Sequence, residues 1–219
     1  DSDRAAYILG EAWQGAARGC RNAAFLAVGT GIGAGILADG RVLRGAGGVA
    51  GAIGWWALDR PYEADYRTRG CFESRASGHG LAEAARRLLG ERAEGGGRLS
   101  AAACITARDV LEAYDHGDQT AVAAVRQAVE LWGMAAANLV SLLNPERIVF
   151  GGGVFGPAAR LLADIRAEAQ QWAQPVSIGQ VEFVASMLGG DAGLYGAARL
   201  AIEAAEGGES PPEASPAAR

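Results

Sequence analysis

The stretch Phe25 to Arg44, Phe-Leu-Ala-Val-Gly-Thr-Gly-Ile-Gly-Ala-Gly-Ile-Leu-Ala-Asp-Gly-Arg-Val-Leu-Arg, constrains the fold more than any other part of the chain. Ala23 to Val28 is short, apolar and ends at glycine, which suits a buried strand better than a helix. Gly33 to Ala38 reads as a second strand. Asp39-Gly40 is the dipeptide of a tight hairpin turn, because both residues tolerate positive φ, and Arg41 to Arg44 returns as a third strand. The glycine loop Gly29-Thr30-Gly31-Ile32-Gly33 therefore lies between two strands.

That placement limits what the loop can bind. A dinucleotide fingerprint needs a helix after its glycines, so that pyrophosphate meets the helix N-terminus, and here a strand follows. The ATP P-loop ends in Gly-Lys-Ser/Thr, and this chain has no lysine. Two readings stay open: a turn whose bare N–H groups and Thr30 hydroxyl cradle phosphate oxygens, or a tight turn with no ligand.

With 219 residues, half of them hydrophobic, the chain is long enough for one large or two small domains with a proper core. The net charge of −5 and pI near 5.1 argue against a nucleic-acid or anionic-membrane surface. All 20 basic residues are arginine, a mark of codon bias rather than function. No apolar run approaches a membrane span and no signal peptide is visible. Cys20, Cys71 and Cys104 are odd in number and scattered, so a disulfide framework is not expected and a reducing cytoplasm is. The chain starts at Asp1 and its only methionines are Met134 and Met187, so a piece of a longer protein is expected.

Asp3 to Arg18 reads as a helix capped by Ser2 or Asp3 and stopped by Gly19. The glycine-rich run from Arg44 to Gly54 reads as a loop against a ligand site, Trp55 to Asp59 as a strand, and Pro61 to Arg69 as a polar loop. Helices are expected over Leu81 to Arg92, over Ala107 to Tyr114 behind Thr106, and over Asp118 to Leu143, ended by Asn144-Pro145. An α/β rhythm follows: strand Arg147 to Phe150, glycine turn, helix Pro157 to Trp172, strand Val181 to Ala185 and helix Asp191 to Ala205. The Pro- and Ser-containing end, from Gly207, reads as a disordered tail.

Four segments, in order, carry a family likeness: Leu9-Gly-Glu-Ala-Trp13 running on to Val28-Gly-Thr-Gly-Ile-Gly-Ala-Gly35; Gly70-Cys-Phe-Glu-Ser-Arg-Ala-Ser-Gly78; Leu143-Asn-Pro-Glu-Arg-Ile-Val-Phe-Gly-Gly-Gly-Val154; and Leu188-Gly-Gly-Asp-Ala-Gly-Leu-Tyr-Gly-Ala-Ala198. The set resembles the ROK family of bacterial sugar kinases and sugar-responsive repressors. The resemblance implies an α/β, ribonuclease-H-like, actin-like ATPase fold of the hexokinase type, here mainly the C-terminal lobe over residues 1–205, with 206–219 as tail.

The resemblance also implies roles. Asp3 falls on the family's general base; without the resemblance it is a helix N-cap. Its neighbours depart from the family's Asn-Asp-Ala-Asn, with Ser2, Arg4 and Ala5 in the other places. Ser2 and Glu73 fall on sugar-contacting positions, Glu73 being otherwise an ordinary helix-start carboxylate. Gly29, Thr30, Gly31 and Gly33 match a phosphate loop. Gly151, Gly152 and Gly153 match a glycine turn near adenosine, or else form a plain strand-to-helix turn. ATP with Mg2+ is the implied cofactor pair in the intact protein, and a homodimer the implied assembly.

Three departures qualify this. The family's Glu-x-Gly-His stands here as Ala52-Ile53-Gly54-Trp55, and its three-cysteine zinc motif as Ala64 to Cys71. One thiol without histidine cannot close a four-ligand site, so zinc is not expected. Pro61 to Arg69 is then expected to be held by packing, with Trp55 and Trp56 as core aromatics or, less favoured, as a sugar platform. The family's N-terminal lobe, with the opposing phosphate loop, is missing, so this polypeptide by itself is not expected to catalyse phosphoryl transfer. Three functions follow: the lobe of an ATP-dependent hexose kinase, a sugar-sensing effector domain of a repressor, or a remnant that binds no sugar. No nucleic-acid contact through this segment and no membrane partner are expected.

Overall fold

The computed structural model describes residues 2–91, 99 and 104–206. The tail from Gly207 and the last residue of the expected helix, Arg92, lie outside them.

One mixed sheet organises the chain. Strands β1 (Ala23–Val28), β2 (Ile32–Ala38) and β3 (Arg41–Val42) form an antiparallel meander, and β4 (Arg147–Gly151) and β5 (Glu182–Ala185) run parallel to β1, giving the order β3-β2-β1-β4-β5. The two-residue turn between β2 and β3 has Asp39 at φ 51° and Gly40 at φ 76°, the positive pair that the dipeptide foretold. It closes the register Ala38↔Arg41.

Both faces of the sheet are covered. Along β1 the side chains alternate, so Ala24, Leu26 and Val28 enter one core while Ala23 and Phe25 enter the other. Helices α1 (Asp3–Gln14) and α10 (Ala192–Ala205) cover the second face. They run antiparallel and close, because a methyl on Gly10 or Gly196 would collide with the carbonyls of Ala192 and Ala6 respectively. The larger core lies under α3 (Cys71–Ala76), α4 (Gly78–Glu91), α5 (Ala107–Asp115), α6 (Gln119–Leu143) and α8 (Leu162–Trp172). Fully buried Trp132 on α6 anchors it and donates its indole N–H to the Ala76 carbonyl at 3.0 Å.

Several boundaries differ from the expectation for identifiable reasons. Helix α1 ends at Gln14 rather than Arg18, because the buried Glu11 carboxylate accepts the N–H of Ala16 at 2.5 Å and turns the chain away. Ser2, not Asp3, is its cap: the Ser2 hydroxyl accepts from Ala5 N at 3.2 Å. Trp55 to Asp59 is not a strand. Ile53–Trp55 is a single 3-10 turn, and the sheet closes without that segment. The expected loop ends in the short helix α2 (Tyr66–Arg69). The expected helix from Pro157 starts earlier, as α7 (Phe155–Ala158), and passes through a 3-10 turn before α8. A further short helix, α9 (Pro175–Gln180), precedes β5. Thr106, the expected start signal, forms a reciprocal capping box with Asp109 at α5; Asp118, expected as the first helical residue, is instead the cap of α6; and Asn144 ends α6 at φ 42° as expected.

Candidate functional site

The C-terminal ends of the parallel neighbours β1 and β4 lie side by side, the edge at which open α/β sheets form their ligand crevice. Two glycine turns meet there. A methyl built on Gly29 would stand 3.8 Å from Gly153 N, and Val154 N–H donates to the Val28 carbonyl at 3.0 Å. Gly152 sits at φ +91° directly over Val28, a conformation that only glycine adopts without strain. Gly78, at the start of α4, donates to the Gly29 carbonyl at 2.8 Å.

The two turns keep some of their backbone donors free. Gly29 N–H is used by the Gly31 carbonyl at 2.9 Å, and Ile32 N–H donates to Glu73 Oε2 at 2.7 Å. The N–H groups of Thr30 and Gly31, both exposed, have no acceptor among the described residues. They and the Thr30 hydroxyl are the donors that can meet an anion.

The seven positions expected at phosphate and nucleotide therefore divide. Gly29, Thr30, Gly31, Gly152 and Gly153 border the crevice. Gly33 is buried beneath Arg4, whose Cδ would stand 2.7 Å from a methyl there, and Gly151 is buried beneath the ring of Phe25. Their missing side chains serve packing.

Glu73 is more than a helix-start carboxylate. It rises from the first turn of α3 to tie down the glycine hairpin through Ile32, and its Oε1 has no hydrogen-bond partner among the described residues. Gly31 and Gly54 lie so close that methyl groups on them would stand 2.8 and 3.0 Å from Glu73 Oε2. Asp3, freed from the capping role by Ser2, is exposed at the start of α1, where among the described residues its carboxylate accepts only the N–H of its neighbour Arg4 at 2.8 Å. Ser2 flanks it, its hydroxyl committed to the cap.

The segment that departs from the zinc pattern is held by charge, not by tryptophans. Trp55 is 55% exposed, which overturns its expected core position, and Trp56 packs only partly against the core. Arg75 Nε donates to Asp59 Oδ2 at 2.6 Å, with Glu63 also nearby at 3.8 Å. Burial lowers the Arg75 guanidinium's pKa, but the hydrogen bond and charge of Asp59 outweigh it and hold it above the ordinary value. Buried Tyr66 stands 3.4 Å from the same Asp59 oxygen; burial pushes its hydroxyl up to about 12. Cys71 Sγ lies 3.9 Å from the Asp59 carbonyl, and no three His, Cys, Asp or Glu side chains converge among the described residues. These residues do not fit zinc.

Sequence reasoning gave Glu11 no role. It is fully buried and gathers Ala16 N, Leu188 N at 3.1 Å and the Ser186 hydroxyl, fastening α1 to the segment before α10. A charged residue on the inward face of an amphipathic helix was the available signal.

A mixed sheet wrapped by helices on both faces, with two glycine turns over the ends of adjacent parallel strands, defines a lobe of the actin-like ATPase, hexokinase-type architecture. The ROK family model matches residues 1–204, and the chain belongs to the ROK family. It is 36% identical over 200 residues to the glucokinase of Halalkalibacterium halodurans, covering 90% of this chain and 61% of that protein. Among solved structures, a ROK family glucokinase from Streptomyces griseus in complex with glucose and AMPPNP superposes with TM-score 0.76 at 29% identity, over 91% of this chain and 66% of that one. A ROK family transcriptional regulator, a homolog of the E. coli MLC protein, superposes with TM-score 0.83 at 27% identity, over 94% of this chain and 52% of that one. The chain thus spans less than two thirds of the glucokinase from H. halodurans.

Proposed function

We propose that this chain is the C-terminal lobe, residues 1–205, of an ATP-dependent ROK-type hexose kinase working in the cytoplasm. One observation carries the reading. The helix cap is supplied by Ser2, which leaves the Asp3 carboxylate exposed at the start of α1. In this reading Asp3 accepts the proton of a sugar hydroxyl as that oxygen attacks the terminal phosphorus of ATP. The bond from that phosphorus to the bridging oxygen breaks and ADP leaves. Thr30 and Gly31 supply N–H donors to phosphate oxygens, Gly29, Gly152 and Gly153 leave room for the nucleotide, and Glu73 offers Oε1 to a sugar hydroxyl. Mg2+ would accompany ATP, neutralising phosphate charge. The lobe alone grips the phosphates from one side, so turnover belongs to the intact polypeptide. The glucose and AMPPNP of the Streptomyces griseus structure support sugar and nucleotide as ligands.

Calorimetric titration of the chain with Mg-ATP tests the nucleotide half. Binding that weakens when Gly31 is replaced by Val supports it; no binding, or an unchanged affinity in the variant, overturns it. In the intact polypeptide, Asp3→Asn should abolish formation of sugar phosphate from hexose and ATP, and full activity in that variant would sink the role of Asp3.

The fit to the transcriptional regulator favours a second reading, a sugar-sensing effector domain. A panel of hexoses and amino sugars separates the two: sugar binding without nucleotide binding selects the sensor.

A further inference from the structure

The zinc pattern implied by the family draws on positions that stand here as Trp55, Ala64, Tyr66 and Cys71. Only Cys71 keeps a metal-binding side chain, so the segment between Trp55 and α3 needs another fastener. Arg60 to Asp65 are exposed throughout and bury little that could offset the entropy of holding them in one path.

Asp59 supplies the fastener. Two guanidinium nitrogens of Arg75, Nε and Nη2, stand 2.6 and 2.5 Å from its Oδ2, and the buried Tyr66 hydroxyl donates to the same oxygen at 3.4 Å. Cys71 Sγ lies 3.9 Å from the Asp59 carbonyl. Tyr66 and Cys71, two of the four positions of the zinc pattern, thus both turn to one aspartate. Arg75 Nη1 reaches Glu63 at 3.8 Å, and Arg69 links Asp65 to Glu83 of α4 at 3.4 and 3.7 Å. The side chains of Arg75 and Asp59 are only 24% and 27% exposed, so solvent screens this pair less than an ion pair on the open surface.

The pair closes on the helix that carries Glu73. Two residues apart on a helix of about 3.6 residues per turn, Glu73 and Arg75 leave α3 on nearly opposite sides. Glu73 Oε2 accepts the Ile32 N–H at 2.7 Å, and a methyl on Gly54 would stand 3.0 Å from that oxygen. Gly70, just before α3, is packed on Gly54 in turn, where a methyl would collide with the Gly54 carbonyl. Helix α3 is therefore anchored to the segment through Arg75 and to the glycine hairpin through Glu73.

We infer that Arg75 and Asp59 are positioning residues: a metal-free ionic clasp that sets α3 so that Glu73 holds the glycine hairpin and presents Oε1 to a sugar hydroxyl. The sugar part rests on the kinase reading; the metal-free clasp and its hold on the hairpin do not.

Arg75→Met removes the charge and the hydrogen bonds of the clasp and keeps the aliphatic stem. In amide hydrogen exchange followed by NMR, the Ile32 amide of this variant should accelerate about tenfold or more beyond the amides of β4, which report general opening of the sheet. Arg75→Lys keeps the charge and should recover part of the protection. Asp59→Asn takes the place of the Met variant if that fails to fold. Dialysis of the wild-type chain against EDTA should leave its melting temperature and its Ile32 exchange rate unchanged. Equal acceleration at Ile32 and β4, or a melting temperature lowered by the chelator, overturns the inference. In the intact polypeptide, the Met variant should raise KM for glucose about fivefold or more and leave KM for Mg-ATP within about twofold of wild type; an unchanged KM for glucose removes the part played toward sugar. A wild-type polypeptide that forms no sugar phosphate would sink the kinase reading and leave the exchange and chelation results standing.

Discussion

Glu73 and Ile32, 41 residues apart in sequence, are joined by one hydrogen bond from the Ile32 N–H to Glu73 Oε2 at 2.7 Å. It fixes the glycine hairpin to α3, and the same short helix carries Arg75, which holds Asp59. The shape of the crevice therefore depends on a helix of six residues.

Glu73→Ala leaves the buried Ile32 N–H without an acceptor and should cost about 1–3 kcal/mol of stability in urea unfolding. Glu73→Gln retains an acceptor and should cost less. If the two variants prove equally stable, the hydrogen bond is not what holds the hairpin.

Glu11→Leu keeps the volume but strands the donors of Ala16, Ser186 and Leu188, so a loss of about 3 kcal/mol or more is expected. Glu11→Gln should recover part of it. A thermal melt of both against wild type decides, and a neutral Leu variant would refute the account.

Much of this architecture was legible because it is local. The apolar run of β1, the Asp39-Gly40 turn, the cap at Thr106 and the stop at Asn144 each depend on residues within a few positions of one another. The failures were long-range. Trp55 and Trp56 resembled a strand locally, but the sheet edge is already β3, and the segment turns so that Gly54 can pass Glu73. The ties from Glu73 to Ile32 and from Arg75 to Asp59 emerge only when distant segments pack together.

Gly196→Ala should destabilise by about 1–3 kcal/mol, because its methyl meets a backbone carbonyl that has nowhere to go. Gly90→Ala, exposed near the end of α4 with nothing within 4 Å of the new methyl, should instead stabilise by about 0.5–1 kcal/mol. Chemical denaturation of the pair is a direct check, and equal signs would contradict it.

Acid should act through Glu146. The backbone N–H groups of Asn22 and Arg21 hold its carboxyl below the ordinary value, in that order of effect. A depressed folded pKa adds stability that is complete above the unfolded carboxyl's value, about 4.3, and disappears as pH falls through the lower folded value. Glu146→Gln should therefore be less stable than wild type at neutral pH and converge with it in acid. A gap independent of pH would overturn the assignment.

The antiparallel contact of α1 with α10 also has a practical side. Gly10 meets Ala192 and Ala6 meets Gly196, a step of four residues on each helix, so continuing the step brings Leu200 beside Ser2. Spectroscopic labels at Glu203, near the end of α10, and at exposed Gly47 would report on this end of the helix pair. Their separation would then serve as a ruler for any movement of the arm bearing Asp3 when a ligand arrives.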